Sequence, residues 1–152
     1  MSLVDTNRLI RTYLTTSCVL TDPLILLIGD RLYCPRLKQD TTLPAISYFT
    51  RGGSSSPELP HIFSPSVQFD CWAEDTEVAG VVTSGLAIAR QVYRALYDAL
   101  QGLDSVPVTI DGTLYYIMKA REEVHGQDLV DVEVPNYFRV LTFYSITIRD
   151  AT

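Results

Sequence analysis

From Leu43 to Leu100 the chain runs through an order of elements that few architectures accept. Leu43–Thr50 is rich in Ile, Tyr and Phe and reads as a strand. The thirteen residues Gly52 to Ser64 hold two Gly, four Ser and two Pro, which reads as a mobile loop with few apolar anchors. Val67, Phe69, Cys71 and Ala73 then alternate with Gln68, Asp70, Trp72 and Glu74, the pattern of a half-buried strand. Thr76 is read as the cap of a long helix, with Asp75 and Glu77 favouring the positive end of its dipole. Val78, Val81, Val82, Leu86, Ala89, Val92, Leu96 and Leu100 follow the spacing of three and four, and Gly102 ends the run. Such a helix of about 25 residues is a rod of roughly 37 Å, enough to cover a sheet face.

The flanking segments supply the rest of a sheet. Asp5 is placed to cap a helix over Thr6–Thr15, with Leu9, Ile10, Tyr13 and Leu14 on one face. Asp22, Pro23 and Gly29 suit the start and stop of a short helix, although Leu24–Ile28 is short enough to be a buried strand instead. Arg31–Cys34 begins a strand broken by Pro35. Val106–Ile110 and Thr113–Arg121 flank Asp111-Gly112, a hairpin signal. Asp128–Val134 alternates as an edge strand or arm, and Tyr137–Arg149 as a long final strand. The 152 residues are therefore expected to form a single α+β domain, a two-layer sandwich. Its mostly antiparallel sheet is covered by one long helix, with one or two short N-terminal helices.

Charge and motifs narrow the chemistry. The net charge of −6 argues against a protein that grips duplex DNA through phosphates. Glu122, Glu123, Asp128, Asp131 and Glu133 fall in a stretch without Lys or Arg. Cys18, Cys34 and Cys71 are odd in number and lack CxxC spacing, so they read as buried or half-buried free thiols. The longest apolar run, Leu24–Ile28, is far short of the ~20 residues that span a bilayer. The N-terminus lacks the pattern of a signal peptide, and a cytoplasmic site of synthesis and use is expected.

No nucleophile elbow, phosphate loop, dinucleotide fingerprint or zincin helix is present in the sequence. Arg51-Gly52-Gly53-Ser54 leads into a loop rather than a helix and reads as a flexible linker. Asp70, Glu74, Asp75 and Glu77 read as helix capping and a solvated edge rather than a metal site. His125, beside Gly126, reads as a turn position without a catalytic partner. Trp72 lies opposite Phe69 and Cys71, either facing a partner subunit or packing beneath another layer. No cofactor, metal or catalytic residue is expected.

The ordered set of pieces resembles the tail completion, or tail terminator, proteins of long-tailed phages and prophages. The matching segments are Gly29–Tyr33 after a short helix, Leu43–Tyr48, Val67–Trp72, the acidic turn and helix with Ala87-Ile88-Ala89, and Phe138–Tyr144. The resemblance covers most of the chain; Glu122–Asn136 aligns with nothing. It implies a structural subunit of a ring, expected to be a hexamer, that caps the tail tube and stops its polymerisation. The ring would contact the tail tube protein on one side and the head–tail connector, or stopper, on the other. The phage genome would pass through without specific binding, no membrane would be involved, and the subunit would reside in the virion after assembly in the host cytoplasm. Candidate interface residues are Arg51, Gly52, Gly53, Glu58, His61 and Trp72, with the acids Glu122, Glu123, Asp128, Asp131 and Glu133 facing the ring channel or a neighbour. Alternatives are another neck or head-completion protein, a bacterial adaptor domain, or a small enzyme whose site is assembled from scattered residues.

Overall fold

A computed structural model describes residues 3–130 and 136–151. Helix α1 (Thr6–Thr15) forms as the periodicity predicts: the Asp5 carboxylate accepts from the Arg8 N–H at 3.2 Å, and Leu9, Ile10, Tyr13 and Leu14 are buried. Helix α2 (Asp22–Ile28) settles the choice between helix and strand, with Pro23 in its first turn and Gly29 at φ 59° ending it. Thr21, not Asp22, holds its cap position, and Asp22 instead accepts from Ser17 Oγ at 2.5 Å. Strands β1 (Leu32–Tyr33) and β2 (Ala45–Ser56) follow; among the described residues they form the one parallel pair in the main sheet.

The next segment departs from expectation. Gly52–Ser64 is not a loop: β2 continues to Ser56, β3 runs over Leu59–Glu74, and only Pro57 and Glu58 make the turn. The Gly pair creates a bulge, with φ of 92° and 127° and a register shift between Thr50 and Gly53. A Cβ on Gly53 would lie 2.3 Å from the Ser64 carbonyl oxygen, so the missing side chain lets the two strands approach.

The long helix is also shorter than its pattern suggests. Thr76–Val78 (β4) and Val81–Thr83 (β5) form a separate hairpin, and α3 begins only at Gly85 and ends at Gln101. Ala79 and Gly80, at φ 52° and 79°, make the turn that favours this pairing. β-Branched Val81, Val82 and Thr83 suit a strand better than a helix. Asp75 still serves the start of α3, accepting from the Gly85 N–H at 2.7 Å. Gly85 is tightly held there; an added Cβ would meet Phe138 Cδ2 at 2.6 Å and the Glu74 carbonyl carbon at 2.7 Å.

Strands β6 (Val106–Ile110) and β7 (Thr113–Val130) turn at Asp111 and Gly112, both at positive φ, as the dipeptide predicts. β7 absorbs the start of the expected arm, pairing through Asp128, Leu129 and Val130 with β8 (Tyr137–Asp150). Residues 131–135 lie outside the described residues. The six-stranded sheet has the order β1-β2-β3-β8-β7-β6, antiparallel except at β1–β2. The molecule is thus mixed α+β, with a large sheet and three helices among the described residues.

One core unites these elements. Val67, Phe69, Cys71 and Ala73 from β3, and Val140, Tyr144, Ile146 and Ile148 from β8, pack with Val92, Leu96 and Leu100 of α3 and with α1. Each such large side chain contributes about 1.5–3 kcal/mol. Phe69 stacks with Tyr48 and meets Tyr144 edge-on, both at 5.9 Å. The Tyr13 hydroxyl donates to the Ala99 carbonyl at 2.6 Å, and Tyr48 to the Asn7 carbonyl at 2.8 Å, which ties α1 to α3 and β2. Cys71 is buried, but Cys18 and Cys34 are exposed, correcting the expectation that all three thiols are covered.

Candidate functional site

Two places gather chemistry, one on each side of the sheet. The first lies where β7 is irregular. Register shifts between Glu122 and Val124, and between Val124 and Gln127, bend the strand next to α3. Glu122 pairs across from the buried Tyr144, so its side chain enters the helix-covered side and is only 10% exposed. Its Oε2 accepts from the Tyr93 hydroxyl at 2.6 Å, the Thr142 hydroxyl at 3.1 Å and the Tyr144 hydroxyl at 3.3 Å. Its Oε1 lies 2.6 Å from His125 Nδ1.

Burial pushes the Glu122 carboxyl up, but hydrogen bonds from Tyr93, His125 and Thr142 outweigh it and hold the group below the usual carboxylate range. Tyr93 is pushed up to about 12 by burial and by its bond to Glu122. The Gly126 N–H donates to the Tyr93 hydroxyl at 3.1 Å, and Arg90 bonds both Asp128 at 2.7 Å and the Gly126 carbonyl at 3.0 Å.

His125 is therefore not at a turn: it sits in β7 with Glu122 and Tyr93 as partners. A carboxylate at Nδ1 orients the ring, and His125 lines a concavity with Arg90, Tyr93, Arg94 and Tyr97. Among the described residues no serine or cysteine is hydrogen-bonded to that ring. Of the four bonds onto Glu122, the one from Tyr93 fastens β7 to α3 and those from Thr142 and Tyr144 fasten it to β8.

Sequence reasoning missed Tyr93, Thr142 and Tyr144, which stand 20 to 29 residues from Glu122. The available signal was Gly126 within a strand pattern, which marks a bulge or a close approach. A Cβ at Gly126 would touch the Tyr93 ring at 2.7 Å.

The acids do not form one uncompensated group. Asp128 has its counter-charge in Arg90, and Glu122 is tied into the core side. Glu123 turns the other way and accepts from Ser66 Oγ at 2.8 Å. Asp131 and Glu133 lie outside the described residues.

The second place is the opposite face of the sheet. Odd-numbered residues of β8 point there, and three arginines lie over aromatic rings: Arg139 over Trp72 at 5.1 Å, Arg51 over Phe143 at 4.9 Å and Arg149 over Tyr116 at 5.0 Å. Trp72 is half-buried and donates from Nε1 to Ser47 Oγ at 2.9 Å, so it caps its own sheet. Beneath this layer lies Asp70, 6% exposed. Its Oδ2 accepts from Gln68 at 3.0 Å, its Oδ1 has no hydrogen-bond partner, and Arg139 stands 3.8 Å away. Burial raises its pKa, opposed by Gln68 and Arg139.

Arg51 also donates to Gln68 Oε1 at 3.2 Å, which places it on this face. Gly52 and Gly53 form the bulge beside it, Glu58 is in the exposed β2–β3 turn, and His61 is exposed on β3. The structure brings Arg51 and Trp72 to one face and leaves Glu58 and His61 at the tip of the β2–β3 hairpin. No helix among the described residues is long and apolar enough to cross a membrane, and no group of metal-binding side chains is found among them. Compared with known protein families and with curated proteins, the chain matches no family and no individual protein.

Proposed function

We propose that this chain is a structural assembly subunit of a long-tailed phage, forming the ring that caps the tail tube and meets the head connector. The observation that carries this reading is the β4–β5 hairpin. Every residue from Asp75 to Ser84 is exposed, and Val78, Val81 and Val82 are 73%, 66% and 66% exposed. A two-stranded hairpin with no core of its own is marginal in water, and exposed clustered valines mark a contact surface. The arrangement of helices on one side and arginine–aromatic pairs on the other is read here as a two-layer sandwich with one face kept for contacts. The ordered segments that resemble tail terminators supply the identity of the assembly.

The test is electron microscopy of phage particles made without this protein. Tails longer than wild type are expected. Tails of normal length lying free of filled heads would instead assign the chain to head–tail joining, and normal particles would remove it from the virion.

A further inference from the structure

We infer that the β4–β5 hairpin of one copy docks on the arginine–aromatic sheet face of a second copy, a head-to-tail contact. The inference rests on the ring reading above, and it names the surfaces that would close the ring.

The hairpin has two different sides. Its pairing places Val78 opposite Val81 and Thr76 opposite Thr83, so these four share one side; Glu77 and Val82 share the other. From Asp75 to Ser84 the arm carries Asp75 and Glu77 and no Lys or Arg. The arm is thus an apolar tip on an acidic base.

The sheet face is its complement. Arg51, Lys119, Arg121, Arg139 and Arg149 lie there by register, against the carboxylates Asp70, Glu74 and Glu123 among the described residues. Leu141 and Phe143 are half-buried between them and offer apolar area to a small β-branched side. The two surfaces are different patches of one molecule, so their contact is heterologous. It propagates from copy to copy and closes into a ring where the rotation permits. Opposite charge on the two patches also disfavours hairpin-to-hairpin and face-to-face pairing.

Two variants at exposed positions separate the halves of the contact. Glu77→Lys with Val81→Lys makes the hairpin basic while leaving the turn intact, and Arg51→Glu with Arg149→Glu reverses the face. In analytical ultracentrifugation, wild type is expected to assemble beyond a dimer. Each variant alone is expected to remain monomeric, with self-association weakened at least tenfold and an unchanged circular dichroism spectrum. Mixed one to one, the intact hairpin of the second variant meets the intact face of the first. The mixture is expected to associate again, as dimers or larger, because the lysine hairpin and the glutamate face are also opposite in charge.

Wild type that stays monomeric at about 1 mM, where even a weak contact is occupied, overturns the proposal. So does a hairpin variant that assembles like wild type, or a mixture that does not associate. Those outcomes leave the tail-length experiment untouched. Normal particles without the protein, alongside an associating mixture, would instead remove the phage role and keep the contact.

Discussion

Glu122 and Asp70 are the same chemical group at nearly the same exposure, 10% and 6%, on opposite sides of one sheet. Their surroundings push them in opposite directions. Glu122 receives the hydroxyls of Tyr93, Thr142 and Tyr144 and the ring of His125, and its pKa falls. Asp70 receives one amide bond, keeps one oxygen without a hydrogen bond, and its pKa rises. The comparison teaches that burial pushes both carboxyls up, and that the number of donors decides whether the rise survives. On the helix-covered side the polar groups are mutually satisfied. On the other side they are only partly so.

The sharpest way to break this comparison is to remove the better-satisfied carboxylate. Glu122→Ala strands the hydroxyl of Tyr144, takes one partner from Tyr93 and one from Thr142, and opens a gap beside α3. A loss of about 3 kcal/mol in urea unfolding is expected, with Tm lower by roughly 10 °C. A loss below about 1 kcal/mol would mean the network is not fastening β7. Next in size is Gly126→Ala. Its Cβ would lie 2.7 to 2.9 Å from three carbons of the Tyr93 ring, which its own hydroxyl bonds hold in place. The expected loss is about 2 kcal/mol, relieved when Tyr93→Ala is added. An unaltered midpoint for the single variant would show the ring free to move aside.

What could be read in advance follows the range of the forces involved. The buried face of β3 and that of α1 depend on alternation and three–four spacing within one segment, and both are correct residue by residue. Asp111-Gly112 is equally local, because two positive φ angles select that turn. Val78, Val81 and Val82 carry a helical spacing as well as a strand propensity, and spacing alone does not decide between them. The Ala79-Gly80 turn decides it, and it costs nothing to a hairpin that a helix would otherwise lose at Gly80. Gly52-Gly53 reads as a linker until Ser64 is placed against it, since the close approach involves a residue eleven positions on. The Glu122 network is least legible of all, because its donors come from α3 and β8. The acidic run looked uncompensated for the same reason: Arg90, its counter-charge, belongs to the helix.

The finest test of the comparison is Asp70→Asn. Burial raises the folded pKa of Asp70 above its unfolded value, so the folded state binds more protons in that interval and stability falls as pH rises through it. At neutral pH the ionised group therefore detracts from stability. Asparagine keeps an acceptor for Gln68 and removes the charge. Arg139, 35% exposed and stacked on Trp72, keeps water and an aromatic face when the acid is gone. A gain of about 1 kcal/mol at pH 7 is expected, shrinking as the pH falls toward the unfolded carboxylate value. Glu122 carries the opposite sign: its folded pKa is depressed, so its stabilisation is present above the unfolded value and is lost as pH falls through the folded one. Glu122→Gln is then destabilised at pH 7 and approaches wild type in acid from below, while Asp70→Asn approaches it from above. If Asp70→Asn is instead less stable than wild type at pH 7, the attraction to Arg139 exceeds the burial penalty, and the two sides of the sheet are equally finished.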